Sequence, residues 1–223
     1  MRLSVKEDGN WRSFRHRNYR ILFPANTVSN IGSWAQRIAQ DWLVLELTNN
    51  NGTYLGLVTA VQFAPVLAFS LHGGKLADRF NKRKVLILTN IIGGAASLAL
   101  GILVMTDLIA LWHVFVLAGI LGISTAIDAP VRQSFTTEVV GQTDLPNAVS
   151  LNSANFNAGR LVGPAISGGL IAAFGTGPSF IVNGLSYFFV IAALLNLNEK
   201  AFFNLDRPKS DGSIREGIAY AKA

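Results

Sequence analysis

Gly74-Lys75-Leu76-Ala77-Asp78-Arg79-Phe80-Asn81-Lys82-Arg83-Lys84 is a short basic turn with one acid near its start, set between the apolar runs Leu55–Leu71 and Val85–Met105. So charged a stretch does not sit in lipid, whereas its flanks are long enough to cross it. The turn therefore marks the bend of a membrane-spanning helical hairpin. Its cations place that bend on the cytoplasmic side, where loops carry the excess of Lys and Arg. Asp78 lies where a following helix would begin, a position that favours a carboxylate.

Outward from this turn the pattern repeats. Half the chain is apolar and 14% is charged, with a mean hydropathy of +0.37. A soluble domain carries about 25% charged residues, so a membrane protein is expected. Stretches that satisfy the span requirement of about 17–25 residues lie at 21–47, 54–76, 85–105, 108–127, 148–174 and 179–197. The expected fold is an all-α integral membrane bundle of six transmembrane helices. Residues 1–20 form a polar, basic N-terminal segment with no secretory signal pattern, and residues 198–223 begin a second polar segment.

The charges agree. Of 19 Lys and Arg, six precede Ile21, five lie in Lys75–Lys84, Arg132 lies between spans four and five, and five follow Leu197. The alternate loops 48–53, 106–107 and 175–178 carry none. This positive-inside pattern puts both termini in the cytoplasm of a cell-membrane protein. The net charge of +6 is thus a topology signal, and no nucleic-acid partner is expected. Cys is absent, and His16, His72 and His113 are scattered, so no metal site or cofactor is expected. No nucleophile–base grouping appears, and Gly73-Gly74-Lys75 lacks the phosphate-loop spacing. No catalytic residue is assigned and an enzyme is not expected.

Two spans carry unusual residues. In span five, Gly159, Gly163 and Ser167 recur every four residues, a stripe that lets a neighbouring helix approach closely. Pro164 removes the hydrogen bond to the Arg160 carbonyl and is expected to bend the helix. In span one, Gln36 and Gln40 share a face, and Arg37 and Asp41 share the next. Asp41 lies about 9 Å inside the outer end and Arg37 about 6 Å deeper. Charges near the bilayer centre cost about 2.5–3.5 kcal/mol each on insertion scales, so these two face water or each other. Asp41 is either a proton carrier switched by a moving partner or half of a structural ion pair. Arg160 lies about 20 Å along span five, after Asn152, Asn155 and Asn157. It either lines a cavity or forms a structural bridge on the cytoplasmic side. Two deep arginines face one clear deep acid, so the balance comes either from carboxylates elsewhere or from anionic groups of a substrate.

The basic turn resembles the loop between helices two and three of the major facilitator superfamily, whose pattern is G-x-L-a-D-r-x-g-r-r. Gly74, Leu76, Asp78, Arg79 and Arg83 match; Asn81 replaces the usual glycine and Lys82 stands where arginine is commoner. Span five is similar to the g-x-x-x-G-P-x-x-G-G signature of superfamily exporters and antiporters, through Gly159, Gly163, Pro164 and Gly168, with Ser167 replacing a glycine. Asp41–Thr48, Ile127–Gln133 and Leu145–Asn152 together resemble the branch that contains enterobactin-type siderophore exporters and macrolide efflux proteins. One departure is that 108–127 holds no arginine, where many superfamily drug antiporters carry one.

The resemblance implies the N-terminal half of a major-facilitator fold, built as two inverted three-helix repeats, with residues 198–223 as the start of its central cytoplasmic linker. Spans one, two, four and five would line a cavity holding Gln36, Arg37, Gln40, Asp41, Asn155 and Arg160. Gly74, Asp78, Arg79, Lys82 and Arg83 would form a latch with Asp128, through Lys82 or Arg83, or else the loop is solvated and serves topology alone. The implied function is secondary active export of small amphipathic molecules by alternating access with proton antiport. The implied partners are the lipid bilayer, a small-molecule substrate, protons, and a C-terminal six-helix half or a second copy. The rival readings are uptake or uniport, and a six-span interaction protein without transport of its own.

Overall fold

The structure, a computed structural model, describes residues 9–69 and 80–203. Gly74, Asp78 and Arg79 of the expected latch lie outside the described residues, as does most of the segment 198–223. Helix α1 spans Arg17–Leu47, α2 Gly52–Phe69 and α3 Lys82–Met105. Next comes one helical run, Leu111–Phe174, of 64 residues. Straight, it would reach about 96 Å, three times the hydrocarbon thickness. It is instead broken at Gly141 (φ 74°, ψ 169°), a backbone region that is essentially glycine's alone. The part before Gly141 is α4 and the part after it α5. Helix α6 spans Gly177–Leu195.

The connections follow from residue chemistry. Asn49 and Asn50 turn α1 into α2 at positive φ, and Asp107 does so after α3; Asn and Asp tolerate that region best among side-chain-bearing residues. Asn81, the departure from the superfamily pattern, caps α3, its side chain accepting from the Lys84 amide at 3.1 Å. An Asn at that position satisfies an amide left free at the helix start.

The segment 132–141, expected as a loop, is helical. Pro130 does not end α4, because its missing N–H costs one bond while the apolar spacing continues. Val131, Phe135 and Val139 lie on one buried stripe, packed with Tyr19, Leu22 and Leu86. Three stretches, Lys82–Met105, Leu111–Phe174 and Gly177–Leu195, are long and apolar enough to cross a membrane. Helix α1 falls short in hydropathy because it carries Asn26, Ser29, Asn30, Ser33, Gln36, Arg37, Gln40 and Asp41 along its length.

Packing separates into levels. One apolar cluster joins Tyr19, Leu86, Phe135, Val190 and Leu194 at the end bearing the basic residues. A second joins Leu43, Val44, Val58, Leu100, Val114 and Phe180 towards the other end. Between them lies a polar layer that includes Thr89, Asn90, Ser124, Asn183 and Ser186, all buried. Its groups are mutually bonded: Ser124 Oγ donates to the Thr89 carbonyl (2.8 Å) and Asn183 Nδ2 to Gln36 Oε1 (2.7 Å).

Close helix approach sets the frame. A Cβ at Gly163 would lie 2.5 Å from Trp34 Cβ and 2.9 Å from the Ile31 carbonyl oxygen, and one at Gly159 would lie 3.2 Å from Trp34 Cδ1. The small-residue stripe of α5 is therefore seated on α1. Ser167 completes it, buried with its hydroxyl 3.3 Å from that of Ser179 on α6. Pro164 sits within the continuous helix, where Gly141 is the one residue with non-helical angles.

Candidate functional site

An ion pair occupies the polar layer. Asp128 and Arg132, one turn apart on α4, meet at 2.7 and 2.9 Å through two guanidinium nitrogens. Thr89 Oγ1 (2.8 Å) and Asn90 Nδ2 (3.2 Å) from α3 also donate to Asp128. Arg132 gives a further hydrogen bond to Asn26 Oδ1 on α1 at 2.6 Å. Such two-point contacts are the stronger kind of charged hydrogen bond. The pair lines a cavity of about 370 Å³ with Asn30, Ser33, Asn155, Phe156 and Tyr187. A second cleft of about 560 Å³, between α4 and α5, shares Arg132, Thr136, Asn152 and Phe156 with it. Asn155 Oδ1 is buried without a protein donor, which leaves an acceptor open to a ligand N–H or water. Asn155 is held in place by its carbonyl, which accepts from Asn30 Nδ2 at 2.7 Å.

The expected site residues separate. Asn155 lines the cavity. Gln36 and Gln40 are buried in helix contacts instead: Gln36 accepts from Asn183 on α6, and Gln40 Nε2 donates to Gln62 on α2 at 3.2 Å. Arg37 does not close an ion pair with Asp41, which acts on it at longer range. Its guanidinium carbon stands 4.9 Å from the Trp34 ring centre and 4.8 Å from that of Phe63. Arg160, exposed on α5, approaches the same Trp34 ring at 5.9 Å.

The expected pairing of Lys82 or Arg83 with Asp128 does not occur. Asp128 is committed to Arg132, Thr89 and Asn90. Lys82, itself buried, pairs with Glu138 at 2.5 Å, and Arg83 pairs with Glu199 while donating to the carbonyls of Leu194 (2.7 Å) and Leu195 (2.8 Å). The reason is the length of α4. Glu138 lies ten residues beyond Asp128, about 15 Å further along the helix, at the level where α3 begins. Glu138→Gln would leave the Lys82 ammonium buried beside a neutral amide. It is expected to cost about 2 kcal/mol, read as a lowered unfolding temperature, whereas an unchanged transition would mean that Lys82 finds another acid.

The basic end has a further anchor. Asp144, buried at the start of α5, takes Arg15 Nε at 2.7 Å and His16 Nε2 at 2.6 Å. Asn147 Oδ1 accepts from the Ser13 hydroxyl at 2.7 Å. The short 3-10 turn Arg12–Arg15 is thereby fastened beneath the Gly141 bend. Asp144 thus serves as an ion-pair hub.

Sequence reasoning missed Arg132, Asn26, Thr89, Asn90 and Tyr187. The signal for the first was present: Asp128 and Arg132 have the i,i+4 spacing of a helical ion pair. For the rest, one polar residue in an apolar helix does not say which neighbour it meets.

A family model described as "Transmembrane secretion effector" matches residues 8–223. Among curated proteins, the chain is 28% identical over 182 residues to the staphyloferrin A transporter of Staphylococcus aureus, covering 81% of this chain and 46% of that one. It is 30% identical over 162 residues to the multidrug efflux pump Tap of Mycolicibacterium fortuitum, covering 70% and 39%. A macrolide efflux protein of Streptococcus pyogenes and an enterobactin exporter of Shigella flexneri also match. The chain spans about half the length of the curated relatives it matches. Among solved structures, an auto-inhibited POT family peptide transporter superposes with a TM-score of 0.71 at 19% identity, over 92% of this chain and 45% of that one, which shows the fold.

Proposed function

This chain belongs to the transmembrane secretion effector family, and from that premise we propose that it forms part of a secondary transporter that exports small amphipathic molecules by alternating access. The observation that carries this reading is the half-buried Asp128–Arg132 pair beside a polar cavity, held between two apolar clusters. A bundle serving only as a scaffold gains little from an ion pair at this depth, because replacing such a pair with apolar residues is often stabilising. The names of the relatives support efflux as the direction. In this reading the substrate enters between this bundle and a second six-helix half or a second copy, in the cell membrane, with the basic end facing the cytoplasm. Lys82–Glu138 and Arg83–Glu199 tie α3, α4 and the segment after α6 together at that end, and their release opens it.

Protons moving inward drive the cycle, and Asp41 carries them. Asp41→Asn in the full-length protein is expected to keep substrate counterflow and lose proton-driven accumulation in inverted membrane vesicles. Proton-driven accumulation at the parent rate would exclude Asp41 as the carrier. Accumulation only in right-side-out vesicles would replace export with uptake.

A further inference from the structure

We infer that Arg37 and Arg160, converging on Trp34, form a recognition site for the carboxylate of an amphipathic anionic substrate. The glycine stripe of α5 creates this site. Because Gly159 and Gly163 seat α5 directly on Trp34, Arg160 is brought to the same indole that Arg37 covers from its own helix, at 5.9 and 4.9 Å. Neither arginine has an ion-pair partner among the described residues, and Arg37 feels Asp41 only at longer range. Guanidinium groups stay charged, and two of them in a membrane bundle call for a counter-charge.

The surroundings describe the ligand. Phe63 on α2 flanks Arg37 at 4.8 Å, and Phe156 on α5 packs edge-on against Trp34 at 5.4 Å. Both rings are partly exposed. Phe156 also borders the cavity of the Asp128–Arg132 pair, so the aromatic floor runs from that cavity to the two arginines. Stacked guanidinium groups keep their edge N–H donors free, and those donors match a carboxylate in a two-point bond. The ligand is thus an organic acid: an anionic head between Arg37 and Arg160, and an apolar or aromatic body on Phe63, Trp34 and Phe156.

This inference rests on the export reading for how the ligand arrives, but its test is equilibrium binding. The full-length protein in lipid nanodiscs is titrated with 1-naphthoate and with the uncharged 1-naphthamide, and thermal unfolding is followed. Naphthoate is expected to raise the unfolding temperature more than the amide does, as binding to the folded state requires. Arg160→Gln should weaken that effect about tenfold, the loss of one charged hydrogen bond. Arg37→Gln should do the same, and Arg160→Lys should fall between parent and Arg160→Gln. The unliganded transition of each variant reports its folding. Equal stabilisation by acid and amide, or naphthoate binding unchanged in the Arg37→Gln/Arg160→Gln protein, overturns the site. Since binding is measured without a gradient, that result leaves the export reading standing, and a protein that transports nothing still reports on the site.

Discussion

Gly163→Ala is expected to lower the unfolding free energy by about 2 kcal/mol and, in the transporter proposed above, to abolish transport. The added methyl would lie 2.5 Å from Trp34 Cβ, 2.9 Å from the Ile31 oxygen and 3.0 Å from the Ala35 nitrogen. Two of these are backbone atoms, so no rotamer change relieves the clash, and α1 must part from α5. Overpacking costs about 1–3 kcal/mol. The parting also loosens the Asn30–Asn155 hydrogen bond of 2.7 Å, worth about 1 kcal/mol net. Against this stands about 1 kcal/mol of helix propensity gained on replacing glycine with alanine. The control lies in the same motif. A Cβ at Gly168 meets nothing within 4 Å, so Gly168→Ala should be neutral or mildly stabilising. Guanidinium or thermal unfolding of the two purified variants, side by side, checks both. Equal damage at the two positions would show that the motif acts through something other than the α1 contact, or that Gly168 meets a neighbour beyond the described residues.

Arg132→Gln is expected to be the other severe change. It leaves Asp128 with only the Thr89 and Asn90 donors in the polar layer. Removing one partner of a fully buried pair costs about 3–5 kcal/mol. The side chains here keep 19% and 30% of their exposure, so about 2–3 kcal/mol is the fitting scale. Asp128→Asn in the same chain should recover most of that loss, because the stranded charge is what hurts. The double-mutant cycle reads this directly, with a coupling well above the few tenths expected of independent sites. Additive effects would place Asp128 and Arg132 in separate roles. The cavity shares these side chains, so the double variant should regain stability without regaining the transport proposed above.

How much of this was legible in advance follows from which interactions are local. The all-helical membrane architecture was readable because hydropathy and the distribution of Lys and Arg act along the chain. The seating of Gly159 and Gly163 was readable as a close approach, since the spacing alone demands a partner helix; that the partner is α1 was not. The apolar run expected as span four stops at 127, an interruption made by Asp128, Pro130 and Arg132. The buried stripe Val131, Phe135, Val139 outweighs it, and those residues find their partners on α1, α3 and α6. That error moved Asp128 from the interior of a helix to its end, and with it the expected latch. Gln36 and Gln40 were expected in the cavity because the resemblance has span one line it, yet their hydrogen bonds go to Asn183 and Gln62, contacts 147 and 22 residues away in sequence. Trp34 as the meeting point of two arginines had no sequence signal, since it depends on the rotation of α1 and α5 about each other.

The bend at Gly141 has a mechanical side. A flexible loop between two helices acts as a slack rope, and one can tilt while the other stays still. Here the joint is a single residue, its backbone confined by the ring of Phe203 and its lower edge pinned by Asp144 to Arg15 and His16. It behaves as a crank. A tilt imposed on α4 would then be felt by α5 as well. Splicing a few serines in at 141 would put play into that linkage, and the two ends would then move out of step.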